Sequence, residues 1–488
     1  MPQAIDYHAV APELVLTGTI LVVLVLDAFL SPSRKWVAMP VSLVGVVGSL
    51  IACLTLIGQD RVTFGGMYRV DSFALLFKIF FLGAAIVVLA MSLRYFRDGR
   101  YYQGEYYTLL LSSFLGMVTM PSSRDLLMLF ISLELVSAPG FLIAAFRKAD
   151  PRSNEAGLKF FLIGVLSSAV MLYGMSLVYG VTGTTRLTGI ADKLGSLNGG
   201  AETLSLAAIL FVVAGFAFKV SSVPFHFWAP DTYEGAPMPV AAFLSVASKA
   251  AGFAGLLQLM FVGFAPRADF WAPVFAALSI LTMSIGNLVA LQQRQVVRLL
   301  AYSSVAQAGY MLLPFALVTT AHPVLNRQAF AAAELYILIY GVMTLGAFAV
   351  VVGLSRDAPG ALVSEYAGLV RRAPTLAVAM TVFLVSLAGI PPTAGFWAKF
   401  ALAKVAIARG GIGVWLAVIL FVNSVISLGY YLAIAREMIL VEGAERRRPA
   451  VPRLVTVVAV VAAIAVFVVF VYPDLFARIP PDATLVAK

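Results

Sequence analysis

The residues in which this sequence is poorest are those that hold metals and redox groups. It has one cysteine, Cys53, and three histidines, His8, His226 and His322, in 488 residues. A lone thiol forms no internal disulfide, and it excludes a four-thiolate zinc or iron–sulfur site within the chain. Three scattered histidines give no basis for haem ligation or a metal cluster. Gly-rich phosphate loops of the GxGxxG or GxxxxGK[ST] kind are missing as well. Charge is also scarce, at 12% of residues against 61% hydrophobic, and the mean hydropathy is +0.95. Together these exclude an ordinary soluble domain, and they place any associated redox chemistry on a partner. The opening stretch MPQAIDYHAVAPELVLTG carries Asp6 and Glu13 but no base. That is the wrong sign for a secretory signal, so the first helix is expected to be retained.

What the chain has in quantity is apolar runs of about 20 residues, the length that spans hydrocarbon as a helix. Fourteen are predicted, near 11–30, 36–57, 71–94, 105–120, 125–146, 156–180, 203–228, 238–264, 271–291, 298–318, 330–354, 374–403, 412–435 and 453–472. The expected fold class is all-α, a polytopic integral membrane protein. The net charge of +10 does not point to nucleic acid, because the bases outside the runs lie in short loops between them. Eighteen follow odd-numbered helices, among them Arg94, Arg97, Arg100, Arg147, Lys148, Arg446, Arg447 and Arg448. Ten, including Arg478 and Lys488, lie on the other face. By the positive-inside rule the odd loops are cytoplasmic and both termini lie outside.

Six lysines break this pattern by falling inside apolar runs: Lys78, Lys159, Lys219, Lys249, Lys399 and Lys404. A charge at the centre of a span costs roughly 2.5–3.5 kcal/mol on insertion scales, so it persists mainly where it faces a wet or paired interior. Lys219 lies five residues before Pro224, whose missing N–H is expected to leave the Val220 carbonyl without its helical donor. Lys249 lies ten residues past Pro239, about 15 Å along a helix, among small residues that permit a polar gap. Lys399 follows Gly389-Ile390-Pro391-Pro392, and the two prolines strip the carbonyls of Leu387 and Ala388 of their helical donors. Glu134 sits mid-run and reads as a titrating partner for an ammonium or as a structural lock between helices. His226 is a proton relay or an aromatic-belt residue, and Lys159, four residues after Glu155, is an anchor or a relay. Lys404 is expected to snorkel to the interface. Lys78 reads as structural, with Asp71 and Asp27 as candidate partners.

Two pairs of segments echo each other. DLLMLFISLE from Asp125 aligns with RLLAYSSVAQ from Arg298, so that Glu134 meets Gln307, and LKFFLIGV from Leu158 aligns with LYILIYGV from Leu335. Similar offsets relate helices five and six to ten and eleven, and five-helix units necessarily face opposite ways across a membrane.

LELVSAPGFL around Glu134, FKVSSVPFHFWAPDTYEGAPMPV from Phe218, RLLAYSSVAQAGY from Arg298 and LAGIPPTAGFWAKF ending at Phe400 resemble the antiporter-like membrane subunits of proton-translocating NADH–quinone oxidoreductase, respiratory complex I. The resemblance covers nearly the whole chain. It is strongest to the subunit N branch, since Lys399 stands where subunit M typically has glutamate. It implies three N-terminal helices over 1–104, a first antiporter-like repeat over 105–264 (helices four to eight), a second inverted repeat over 265–440 (helices nine to thirteen), and a last helix and tail over 441–488. The seventh and twelfth helices would be broken.

By the same resemblance Glu134 pairs with Lys219, Lys249 is the connecting lysine and Lys399 the terminal one, with Lys159 and His226 extending the path. Gln307 occupies a position where relatives often have histidine, and would hold water without titrating. The implied function is that of a non-redox, proton-translocating subunit in a bacterial inner membrane. Its partners would be other membrane subunits, including neighbouring antiporter-like ones, and lipid. FMN, iron–sulfur clusters and quinone would reside in partner subunits, with no cofactor or metal in this chain. A multi-subunit cation/proton antiporter shares the same helices and lysines, and a membrane scaffold whose charges fix helix order is the third reading.

Overall fold

Helix ends in this chain are set by a few residues with defined capping chemistry. Asp125 accepts from the Leu127 amide at 2.9 Å and opens a helix at Leu126. Asp150 does the same for Arg152 at 3.0 Å, with Pro151 at the first helical position, where a missing N–H costs nothing. Gly183 ends that helix at φ 68°, a left-handed conformation glycine adopts without penalty.

The computed structural model describes residues 5–98, 104–443 and 448–472. Arg100, Arg446, Arg447, Arg478 and Lys488, which enter the charge balance, lie outside the described residues, as does the C-terminal tail. In chain order the helices are α1 Ala11–Phe29, α2 Ala38–Leu54, α3 Ser72–Asp98, α4 Gly104–Thr119, α5 Leu126–Ala144, α6 Pro151–Thr182, α7 Leu187–Leu194, α8 Gly199–Lys219 and α9 Trp228–Gly235. They continue as α10 Met238–Phe243, α11 Lys249–Gln258, α12 Ala268–Ala290, α13 Val296–Ala316, α14 Pro323–Leu354, α15 Leu369–Arg372, α16 Pro374–Ala388, α17 Ala394–Arg409, α18 Ile412–Ile439 and α19 Arg453–Val471. A short antiparallel hairpin, β1 Arg61–Thr63 and β2 Tyr68–Val70, pairs Arg61 with Val70 between α2 and α3.

Among the described residues, twelve helices are long and apolar enough to cross a membrane. The other two expected segments are α4, with 16 residues, and the pair α16 and α17, separated by Gly389–Thr393. α10 and α11 form one continuous rod, Met238–Gly263, containing π turns at Leu244–Ser248 and Leu259–Gly263. That rod is fully buried in its most apolar window, followed by α14 at 94% and α13 at 89%, whereas α1 and α19 are 22% buried and α6 is 28% buried. The centre of the bundle is therefore α10, α11, α13 and α14, the same elements that carry Lys249 and Gln307.

Close packing at this centre depends on small residues, because between helices in lipid it is close backbone approach that drives association. α12 and α13 lie side by side, with Ser279 Oγ donating to the Gly309 carbonyl at 2.7 Å. A methyl group at Gly309 would sit 2.4 Å from the Met283 amide nitrogen, which is backbone and cannot rotate away. Gly309→Ala is expected to destabilise the chain by about 1–3 kcal/mol, the usual cost of overpacking, and thermal unfolding in detergent checks this.

Candidate functional site

The seventh segment breaks earlier than its proline. Ser221 turns into positive φ at 58°, and the amides of Ser221 and Ser222 fold back onto the carbonyls of Phe218 at 2.9 Å and Ala217 at 2.8 Å. The helix has ended before Pro224, so Lys219 is the last residue of α8 and not an interior one. The expectation that Pro224 causes the break by freeing the Val220 carbonyl is corrected accordingly. Pro224 lies exposed in the link to α9. Lys219 is 3% exposed, and its Nζ donates to Ser137 Oγ on α5 at 2.8 Å. Its stem rests on α11, where a methyl at Gly252 would come within 2.9 Å of the Lys219 Cγ. Gly252 is about one turn beyond Lys249 on the same helix, so the stem of Lys219 packs against α11 one turn from Lys249.

Glu134 is half-buried on α5, one turn before Ser137, and its Oε1 accepts from Ser168 Oγ of α6 at 2.5 Å. Glu134 and Lys219 are not in ion-pair contact. Each is bonded to a serine instead.

Lys249, 1% exposed, follows directly on the π turn Leu244–Ser248. A π turn displaces backbone carbonyls from the regular ladder and recurs at functional sites. Here the Ser245 carbonyl accepts from Tyr340 Oη at 3.1 Å. Tyr340 Oη is also within hydrogen-bond distance of Ser304 Oγ at 2.9 Å, while Lys249 Nζ donates to the Ser304 carbonyl at 2.8 Å and to its Oγ at 2.5 Å.

From Ser304 the polar groups run along one face of α13, since Gln307 and Tyr310 follow at three-residue steps of about 4.5 Å. Gln307 is 1% exposed. Its Nε2 donates to the Leu387 carbonyl at 3.1 Å and to Tyr431 Oη at 3.3 Å, and its Oε1 accepts from Tyr336 Oη at 2.5 Å. Tyr431 is bonded in turn to Ser303. Lys399 on α17 reaches back across the break, donating to the Ala388 carbonyl at 2.8 Å, with its Nζ 4.7 Å from the Tyr310 ring centroid. Leu387 and Ala388 are the two carbonyls that Pro391 and Pro392 deprive of helical donors. Gln307 takes one and Lys399 the other. Gly389, at φ 88°, leaves room for the lysine, whose Cδ would lie 2.7 Å from a methyl placed there.

Lys159 and His226 lie apart from this line. Lys159 is 43% exposed and pairs with Glu155 and Asp231, both at 2.8 Å. Asp231 is shared with Arg298 at 2.8 Å, and Arg298 also holds Glu234 at 2.7 Å. These five residues, with Arg152, line a cleft of about 310 Å³ between the starts of α6 and α13. Burial by itself would raise the Asp231 carboxyl, but its bonds to Lys159 and Arg298 outweigh that and hold it below the usual carboxylate range. His226 is half-buried in the link after α8, and its Nδ1 has no hydrogen-bond partner. Lys404 is exposed, as a snorkelling lysine should be.

Lys78 is corrected in its partner. It bonds Glu13 and Tyr68, whereas Asp71 is held by Arg124 at 2.7 Å and Asp27 by Lys35 at 2.7 Å. Asp71 opens α3 and its side chain accepts from the Ala74 amide at 2.9 Å, which directs it away from Lys78 about two turns on.

Several participants were not read from the sequence: Ser137, Ser168, Ser304, Tyr336, Tyr340 and Asp231. A signal existed for some of them. Ser304, Gln307 and Tyr310 form a polar stripe within RLLAYSSVAQAGY, and Tyr336 and Tyr340 are four apart within LYILIYGV, facing it.

Residues 123–427 match the family model described as NADH:quinone oxidoreductase/Mrp antiporter, TM. The chain belongs to this family. Among members of the family, the chain is 40% identical to NADH-quinone oxidoreductase subunit N of Trichlorobacter lovleyi over 444 residues, 91% of this chain and 89% of that one. It is 42% identical to subunit N of Chlorobium chlorochromatii over 91% of this chain and 88% of that one. A chain of respiratory complex I from Thermus thermophilus superposes at a TM-score of 0.79 with 30% identity, covering 96% of this chain and 99% of that one. A chain of the Mrp complex from Dietzia sp. DQ12-45-1b superposes at 0.86 with 20% identity, covering 99% of this chain and 98% of that one, a likeness of fold alone.

Proposed function

We propose that this chain is the N-type, proton-translocating and non-redox membrane subunit of an NADH–quinone oxidoreductase. The observation that carries the reading is the row of buried polar groups between Lys249 and Lys399, with Lys249 on Ser304 of α13, and Gln307 of α13 and Lys399 on the successive carbonyls of Leu387 and Ala388, in a chain about two-fifths identical to subunit N proteins over nine-tenths of its length. FMN, iron–sulfur clusters and quinone belong to partner subunits, where they carry electrons from NADH to quinone. What falls to this chain is to load, pass and release a proton.

Lys219 is the loading group. A carboxylate beside an ammonium favours its charged form, so the distance between Glu134 and Lys219 sets how firmly Lys219 keeps its proton. Lys249, one turn from the Gly252 on which the Lys219 stem rests, receives it. Ser304, Ser303, Tyr340 and Tyr431 supply hydroxyls that both donate and accept, while Gln307 fixes two tyrosines against the break at Leu387. Lys399 is the release group. The arginine-rich loops face the cytoplasm and both termini face outside, by the charge bias. α4 to α11 and α12 to α18 form the two inverted repeats, a reading supported by a broken helix with a buried lysine in each.

Asp231 stands at the mouth of the first repeat and is bonded to a cation of each repeat. Asp231→Asn leaves Lys159 with Glu155 and Arg298 with Glu234, so stability should change by less than about 1 kcal/mol, while redox-driven proton uptake should fall. Unchanged uptake in assembled Asp231→Asn complex would remove the cleft from the path.

Purification in mild detergent through a tag on this chain tests the assignment. The expected preparation shows flavin and iron–sulfur absorbance and reduces quinone with NADH. A preparation with neither absorbance, yet exchanging cations for protons, would instead identify a multi-subunit antiporter.

A further inference from the structure

The loading role of Lys219 does not by itself explain why Glu134 and Lys219 are each bonded to a serine and not to one another. Ser137 lies three residues after Glu134 and therefore on the same face of α5, between the carboxylate and the lysine. Its hydroxyl hydrogen is committed to the Leu133 carbonyl at 2.7 Å, which leaves only lone pairs to meet the Lys219 ammonium. Ser168 arrives from α6 and donates to Glu134 Oε1. A hydroxyl donor satisfies a carboxylate oxygen without supplying a counter-charge, so Ser168 holds Glu134 on the α6 side.

We propose that Ser137 and Ser168 are positioning residues that hold Glu134 and Lys219 apart, so that their pairing is under the control of α6. The inference rests on the reading of Lys219 as the loading group. α6 is suited to this control because most of its spanning window is uncovered in the isolated chain, leaving it open to whatever packs on it. A displacement of α6 takes Ser168 with it and frees the carboxylate to turn toward Lys219. The charged groups facing Lys219 are Glu134 on α5 and, across Gly252, Lys249 on α11.

The test uses assembled complex in proteoliposomes, with redox-driven proton pumping measured as a function of pH. In Ser168→Ala the released carboxylate reaches Lys219, which then keeps its proton more firmly, so the pumping profile should move about one pH unit toward alkaline. Ser168→Thr keeps the hydroxyl and should restore the native profile. An unshifted profile in Ser168→Ala, or a Ser168→Thr variant as altered as Ser168→Ala, overturns the proposal. Where Ser168→Ala fails to assemble, Ser137→Ala, which leaves the α6 contact intact, should shift the profile the same way, and no shift there is equally fatal. Lys219→Ala separates the two levels. If it pumps normally the loading role itself is wrong, and if it does not pump while the serine variants are native, only the positioning role falls.

Discussion

Lys219→Ala in assembled complex should slow proton transfer through this chain about a hundredfold, the lower end of what removing a positioned acid–base group costs. Lys219 is 3% exposed, its single hydrogen bond is to Ser137, and Lys249 lies one turn from the glycine on which its stem rests. Alanine leaves a small apolar gap but no unpaired charge, and Ser137 keeps its bond to Leu133. Assembly should therefore be retained, which separates loss of function from loss of fold. Glu134→Ala should act in the same direction, since it removes the charge to which Lys219 responds, while Ser168 on half-exposed α6 loses little. Acidification of inverted membrane vesicles per NADH oxidised is the measurement, and full pumping in both variants would exclude the proposed loading pair.

Gln307→Leu should be nearly as damaging, for a different reason. The amide makes three bonds, to Tyr336, Tyr431 and the Leu387 carbonyl, and leucine replaces it by a group of similar size with no polar atoms. Each buried partner left unsatisfied costs about 1–3 kcal/mol, so both the melting temperature in detergent and proton transfer from Lys249 to Lys399 should fall, the latter about tenfold. Gln307→His should pump, because an imidazole offers a donor and an acceptor and also titrates near neutrality. A Gln307→Leu complex that pumps as well as the native one would show that the polar face of α13 is structural.

How much of this site can be read without coordinates depends on how unusual each residue is where it stands. Lys219, Lys249, Lys399 and Glu134 stand out from the sequence because a charge in an apolar run is costly in any arrangement and so needs a reason. The carbonyls of Leu387 and Ala388 are legible for a similar reason, since two successive prolines remove donors by covalent structure alone. Serine and tyrosine carry no such mark. They are cheap in a membrane helix, where a serine hydroxyl bonds its own preceding turn, as Ser137 does to Leu133, and Tyr340 matters only because Ser304 and the π turn at Ser245 stand opposite.

The stretch around Lys219 shows the same division. Its prolines correctly announce a broken helix, but the residue that turns the chain is Ser221, an ordinary serine at positive φ whose amide bonds back to Phe218. Lys78 stood out as a buried lysine without revealing its partner, because the two carboxylates read as candidates, Asp71 and Asp27, are taken by Arg124 and Lys35, and only the folding of α1 against the hairpin and α3 brings Glu13 to it. The sequence by itself determined the class of protein, the family, the charged residues and the presence of two helix breaks, but not that the first of them falls at Ser221, ahead of its proline. The tertiary structure alone decided the partners: Lys219 with Ser137, Glu134 with Ser168, and Asp231 between Lys159 and Arg298. Partnership between elements tens of residues apart is a property of packing, which no local pattern encodes.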